Sequence, residues 1–182
     1  MKTKSHERKG GEFMRNRKLM SFIFATLILL VSCTGGGHYG LDDEKEIANA
    51  KFAEIVEAIE GKDREKLKNT FSNKALNEAT DIENEIDYLF DLIKGDDISW
   101  EHSKWLSNGS IRDGKKSSMI VAWYKLTTSE ESYLFFIIYY NIDEIEPDNK
   151  GLYSLRAIKE VDRETEFTYW QDMEIPGIYI PE

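Results

Sequence analysis

The sequence predicts an α+β domain, with about three N-terminal helices covering one face of a mainly antiparallel sheet of four to five strands. Three observations predict it. Apolar residues recur at helical spacing up to Ile93. From Ile98 the period drops to two. The links between the later strands are too short for helical crossovers, so those strands pair antiparallel. Helices first and strands after them is an α+β order.

The first helix spans Asp42 to Glu60. Ala48, Phe52, Ile55 and Ile59, with Val56 beside them, form one apolar stripe. Asp42, Asp43 and Glu44 lie in its first turn, where the helix dipole favours negative charge, and Gly61 ends it. Asp63 is the N-cap expected for a short second helix carrying Leu67 and Phe71. Thr80 and Glu83 fit a capping box that opens a third helix. Its stripe is Ile82, Ile86, Leu89, Phe90 and Ile93, and Gly95 closes it. On its other side Glu83, Asp87 and Asp91 stand four apart. Three carboxylates in a line can hold a divalent cation. A solvated face is the commoner meaning of such a line, and no metal is assigned here.

The first strand runs from Ile98 towards Leu106, where Trp100, His102 and Lys104 alternate with Glu101, Ser103 and Trp105. Asn108-Gly109 and Asp113-Gly114 are both turn signals. Met119 to Leu126 is the second strand. Tyr133 to Tyr140 is the third, apolar on both faces and therefore central and covered on both sides. Its second face is closed by sheet curvature or by the C-terminal segment, or it lines an apolar cavity. Asn141 to Gly151 is an acidic loop without the spacing of an EF-hand, read as a solvated connection. Leu152 to Val161 is the fourth strand, and Phe167 to Trp170 a short fifth.

Upstream of the domain the chain has a different character. Leu19 to Val31 carries no charge and follows Arg15, Arg17 and Lys18. A basic region, a short apolar run and small residues make an export signal. As a helix the run spans ~20 Å, short of the ~30 Å hydrocarbon core of a bilayer. Leu30-Val31-Ser32-Cys33 resembles a bacterial lipobox. That resemblance implies a lipid on the Cys33 sulfur and cleavage after Ser32. Residues 1–32 are thus expected as a lipoprotein signal peptide, 33–41 as the lipidated cysteine and a glycine-rich tether, and 42–182 as one domain. His38, in the tether, is read as a solvated bystander. Met14 opens a compact leader, and Lys9-Gly10-Gly11-Glu12 is encodable by a ribosome-binding sequence. Met14 is therefore expected as the translation start, and codons lacking a GGAGG-like core would sink that idea.

The whole chain has a formal charge of −10. Residues 1–32 hold seven Lys/Arg and two Asp/Glu, leaving 17 basic and 32 acidic residues after them, a net of −15. Phosphate neutralisation needs the opposite balance, so nucleic acid is excluded as a partner class. Attraction to an anionic membrane surface is disfavoured too, so the lipid on Cys33 would have to hold the protein at the membrane. Cys33 is the sole cysteine, so no disulfide forms within the domain and stability rests on the core.

The helical stripe of Ala48, Phe52 and Ile55, then Lys62 to Leu67 and Phe71-Ser72, then long strands, resembles the nuclear-transport-factor-two-like (cystatin-like) fold. The resemblance implies that the sheet is curved and the helices close a cone. Gly151 to Arg156 together with Tyr169 to Tyr179 resembles an uncharacterised lipoprotein family of Gram-positive bacteria within that superfamily, over about residues 42–182. It carries no activity across, and fold alone does not choose one.

Few residues offer chemistry. His102 is the one histidine beyond the tether, which leaves no histidine pair for zinc and no Cys–His couple. His102 reads either as a general base or as a packed strand residue. A steroid-isomerase-like site would need a carboxylate in the cone, and none falls in an apolar strand run. Trp100, Trp105, Trp123, Tyr124, Tyr139 and Trp170 either line a ligand cavity or fill the core. Arg156 alternates with Leu152, Ser154 and Ile158 and points inward, which demands a partner. Asp172 is the candidate. That pair reads as a pin for the C-terminal segment or, alternatively, Arg156 anchors an anionic ligand.

The expectation is a lipoprotein facing outside the cytoplasm at the cell membrane, non-catalytic, without cofactor or metal, binding an unknown small molecule or protein. The alternatives are an isomerase- or lyase-type enzyme acting in the cone, and a protein-facing envelope or immunity module.

Overall fold

The structure is a computed structural model, and it describes residues 41–166 and 174–181. They lie in a compact unit that begins at Gly40. Helix α1 spans Leu41–Gly61, α2 Arg64–Lys68, α3 Asn73–Glu78 and α4 Ile82–Leu92. Strands β1 (Ser99–Arg112), β2 (Lys115–Thr127), β3 (Ser132–Asp143) and β4 (Gly151–Lys159) follow. Short 3₁₀ turns at Pro147–Asn149 and Glu160–Asp162, helix α5 (Arg163–Glu166) and β5 (Gly177–Ile178) complete the order. The five strands form one sheet in chain order, so the α+β expectation holds.

The stripe on α1 forms the helix-side core. Ala48, Phe52, Ile55 and Ile59 are buried against Ile86, Leu89 and Phe90 of α4. The sheet contributes Ile120, Ala122, Tyr124 and Leu126 from β2 and Tyr133, Phe135 and Ile137 from β3. Phe136 and Ile138 are also buried, on the opposite face, with Met119, Val121 and Trp123 packed beside them. β3 is therefore the two-sided central strand that its composition predicted. Register shifts at His102/Lys104, Ser118/Met119 and Ile138/Tyr139 mark bulges, which bend and twist strands.

Several local expectations change. Thr80 and Glu83 do not form the capping box. Asp81 caps α4 instead, accepting from Asn84 N at 3.2 Å, while Glu85 Oε1 takes Asp81 N at 3.4 Å. Phe71 lies beyond α2 and pairs in a parallel bridge with Leu152. The helix α3 was not anticipated; Ser72 caps it through Ala75 N at 3.1 Å. Here Ser72 N donates to Leu152 O at 2.8 Å, and a Cβ on Gly151 (φ +130°) would come within 2.9 Å of Ser72 N. The strand can approach that closely because residue 151 is glycine.

Asn108-Gly109 is not a turn. Both residues stay in β1, opposite Met119 and Ser118. The hairpin closes at Asp113 (φ 53°) and Gly114 (φ 77°), the two positive values a type I′ turn needs. Closure at Asn108-Gly109 would have set Trp100 opposite Ser117. The observed closure sets Trp100 opposite Leu126, apolar against apolar.

The fifth strand pairs parallel to β4, not antiparallel, through Ser154↔Gly177 and Leu155↔Ile178. The stretch Phe167 to Trp170, where a strand was expected, lies outside the described residues. The acidic loop is more than a solvated connection. Asp143 is buried and accepts from Ile145 N at 3.0 Å, Glu146 N at 2.9 Å and Asn149 Nδ2 at 3.0 Å.

Candidate functional site

The candidate residues do not converge. Trp100, His102, Tyr124 and Tyr139 share the helix-side face, whereas Trp123 and Arg156 lie on the other. Alternation explains the split, because a paired residue shares a face with its partner, as Trp123 does with Lys104 and Arg156 with Phe136.

On the helix side, aromatic rings occupy the space under α1. Phe52 stacks on Tyr124 with centroids 3.9 Å apart and planes 2° from parallel. Trp100 and Phe135 each meet Phe52 edge-on at 5.3 Å. These are filled-core geometries. Tyr124 donates its hydroxyl to Asn49 Oδ1 at 3.3 Å, and burial pushes its phenol well above the usual range. The His102 ring meets Tyr124 edge-on at 5.3 Å, with Nε2 buried and without a hydrogen-bond partner among the described residues. Burial, then the charge of Lys45, holds its pKa below the ordinary value of 6.5. The depressed pKa keeps the imidazole neutral, the form a general base needs, but Nε2 is buried beside the Tyr124 ring and no carboxylate among the described residues hydrogen-bonds to either side chain. Tyr139 is buried too, its pKa raised by burial and tempered by Lys51, whose Nζ lies 5.9 Å from the ring.

Arg156 is buried, as its alternation required, with 2% of its surface exposed. Its Nη2 donates to the backbone oxygen of Glu166 at 2.6 Å and to Glu166 Oε2 at 3.1 Å. The guanidinium lies 3.8 Å from the Tyr179 ring. The expected partner, Asp172, lies outside the described residues. Glu166 and Tyr179 flank that segment on either side, so Arg156 ties together the chain before and after it.

Sequence reasoning missed Glu85. It stands in the first turn of α4, where a carboxylate is ordinarily read as a dipole complement. Here it is buried, and Oε2 accepts Ile178 N at 2.8 Å. A Cβ at Gly177 (φ +85°) would collide with the same carboxylate. The glycine in Ile-Pro-Gly-Ile was the available signal.

The carboxylate line of α4 meets cations from α2. Glu83 pairs with Lys68 and, at 3.5 Å, with Arg64, which also pairs with Asp87. Among the described residues no group of His, Cys, Asp and Glu could hold a metal ion, and no helix is long and apolar enough to cross a membrane. Clefts occur at the rims, including one of about 500 Å³ between Asp81, Asn84 and Glu85 on α4 and Ile178 to Ile180.

Residues 54–160 match the family described as Domain of unknown function (DUF5104). The chain belongs to that family. The matched span takes in the last turns of α1 from Glu54, then α2 to α4 and all of β1 to β4, and leaves Ala48, Phe52 and Ile178 of the helix-side core outside it. No curated protein matches the chain.

Proposed function

We propose that this member of the family is a lipid-anchored, non-catalytic domain that binds a protein partner outside the cytoplasm. The Phe52–Tyr124 stack at 3.9 Å carries the non-catalytic part, because it fills the space a substrate would need. Arg156, already held by Glu166, is not free to anchor an anion. Leu106 and Ile111 on β1 are 49% and 72% exposed, an apolar presence at the surface that suits protein contact. Anchoring is proposed through a lipid on Cys33, a tether over residues 33–41 and a domain over 42–182, with likeness to nuclear-transport-factor-two-like lipoproteins.

Two experiments test this reading. Cells fed an alkyne fatty acid should label the protein, and Cys33→Ser should lose both the label and the membrane fraction; a labelled Cys33→Ser protein would sink the anchor. Native mass spectrometry of the full chain after incubation with a small-molecule extract of its host should show a bare mass. A reproducible adduct would replace the partner-binding reading with a small-molecule one.

A further inference from the structure

The distal half of β1 is an open sheet edge. β1 is an outermost strand, and every residue from Leu106 to Arg112 is exposed. β2 pairs with it in unbroken register from Lys104↔Trp123 to Arg112↔Lys115. Its outward side has no strand beside it among the described residues, so a row of N–H and C=O groups is presented there. Such a row is a template for another strand. No bulge and no proline interrupts it, since the β1 bulge falls before Lys104; its protection is charge, Lys104 and Arg112, which repels a basic strand and admits an acidic one.

Charge distinguishes this edge from the rest of the domain, where acidic residues outnumber basic ones. From Lys104 to Trp123 the hairpin holds four basic residues and one acidic residue, in a chain of formal charge −10. Lys51, Lys66, Lys74, Lys125 and Lys159 each hold a carboxylate. Arg112, Lys115 and Lys116 have no ion-pair partner among the described residues. The nearby Glu144 carboxylate is taken by the backbone N–H of Lys116 at 2.7 Å, and Glu44 by the Ser118 hydroxyl at 2.9 Å.

We infer that the distal edge of β1 docks an extended acidic segment of a partner protein as an added strand. This rests on the partner-binding reading above. Lys104, Leu106, Asn108, Ser110 and Arg112 alternate onto one face of the edge. A strand with a carboxylate opposite Arg112, which pairs with Lys115 on β2, and an apolar residue opposite Leu106 complements it in charge and pattern, while Lys104, its Nζ 5.4 Å from the Trp123 ring, adds positive charge at the other end. A second copy of this chain fits worse. Antiparallel self-pairing over the whole edge would set Lys104 and Arg112 of the two chains against each other, like charges directly opposed.

Amide hydrogen exchange on the full chain in detergent solution tests the inference. The probes are end-capped peptides of alternating Thr and Val, about nine residues long to match the edge. One carries Glu at both ends and its centre, and the other carries Lys there. The Glu peptide at millimolar concentration should slow exchange across residues 104–112 by about tenfold, while the Lys peptide does not. K104E/R112E should reverse that preference, and the charge-matched K62E/K150E should keep it. No slowing by the Glu peptide, or equal slowing by both, would overturn the inference. So would an edge protected by raising the concentration of the chain alone, or only by phosphatidylglycerol vesicles. Crosslinking on cells separates the two readings. The same partner captured by wild type and by K104E/R112E would overturn the edge and leave partner binding standing. A small-molecule adduct would remove partner binding instead.

Discussion

The two ends of β1 live in different surroundings although they share one backbone pattern. At the proximal end Trp100 and His102 lie under α1, in edge-on contact with Phe52 and Tyr124. At the distal end Leu106 and Ile111 stand in solvent. Alternation says which residues share a face, but it does not say whether that face is covered. Coverage comes from where α1 lies, and from a hairpin that runs on to Asp113-Gly114. The packed end holds the fold, and the open end is available for contact.

The comparison can be broken most severely from the packed end. Phe52→Ala should cost about 3–5 kcal/mol of stability, because the Tyr124, Trp100 and Phe135 rings would border the cavity. Urea unfolding checks this, and a loss near zero would mean the rings do not fill the interior. Arg156→Met should cost about 1–3 kcal/mol, since it takes the charged donor from the Glu166 carboxylate and backbone oxygen and the cation from Tyr179. Adding Glu166→Gln should recover part of that loss, whereas strict additivity would show the two residues to be uncoupled.

Glu85→Ala should cost about 1–3 kcal/mol by leaving Ile178 N buried without its acceptor. Amide exchange should rise first at Ile178 and Tyr179. Unchanged exchange there would mean that Glu85 does not hold β5.

A smaller effect is expected on acidification. The His102 pKa is depressed in the folded state by burial and by Lys45. Its neutral form is therefore favoured by folding, which gives stability that is present above about pH 6.5 and lost as pH falls through the folded pKa. Between pH 7 and pH 5 the wild type should lose more stability than His102→Leu, with the carboxylates titrating alike in both. Equal losses would place His102 in open solvent. Least of all, Leu106→Thr and Ile111→Thr should change stability by no more than about 0.5 kcal/mol. A larger loss would mean the distal end is covered after all.

Much of the fold was legible in the residues. The stripes of Ala48, Phe52, Ile55 and Ile59 and of Ile86, Leu89 and Phe90 name the helix-side core, and Tyr133 to Tyr140 marks the central strand. These are repeats within one element, set by the geometry of a single helix or strand. The helix α3 was harder to see, because a helix that short has little periodicity and declares itself mainly through its Ser72 cap. The candidate site was less legible still. Trp123 and Arg156 separate from Trp100, His102 and Tyr124 through strand register, and the sequence does not number the register.

The sequence by itself determined the α+β order, the two-sided central strand, the inward Arg156 and the acidic balance of the chain. Only the tertiary structure decided which of two Gly turns closes the hairpin, that Asp81 and not Thr80 caps α4, and that Glu85 receives Ile178 from 93 residues away. It alone set the short β5 parallel to β4. The physical reason is reach. Periodicity and capping act over one turn of helix or a few residues of strand, while pairs like Glu85–Ile178 exist only after the intervening sheet has fixed its register and brought the two segments together.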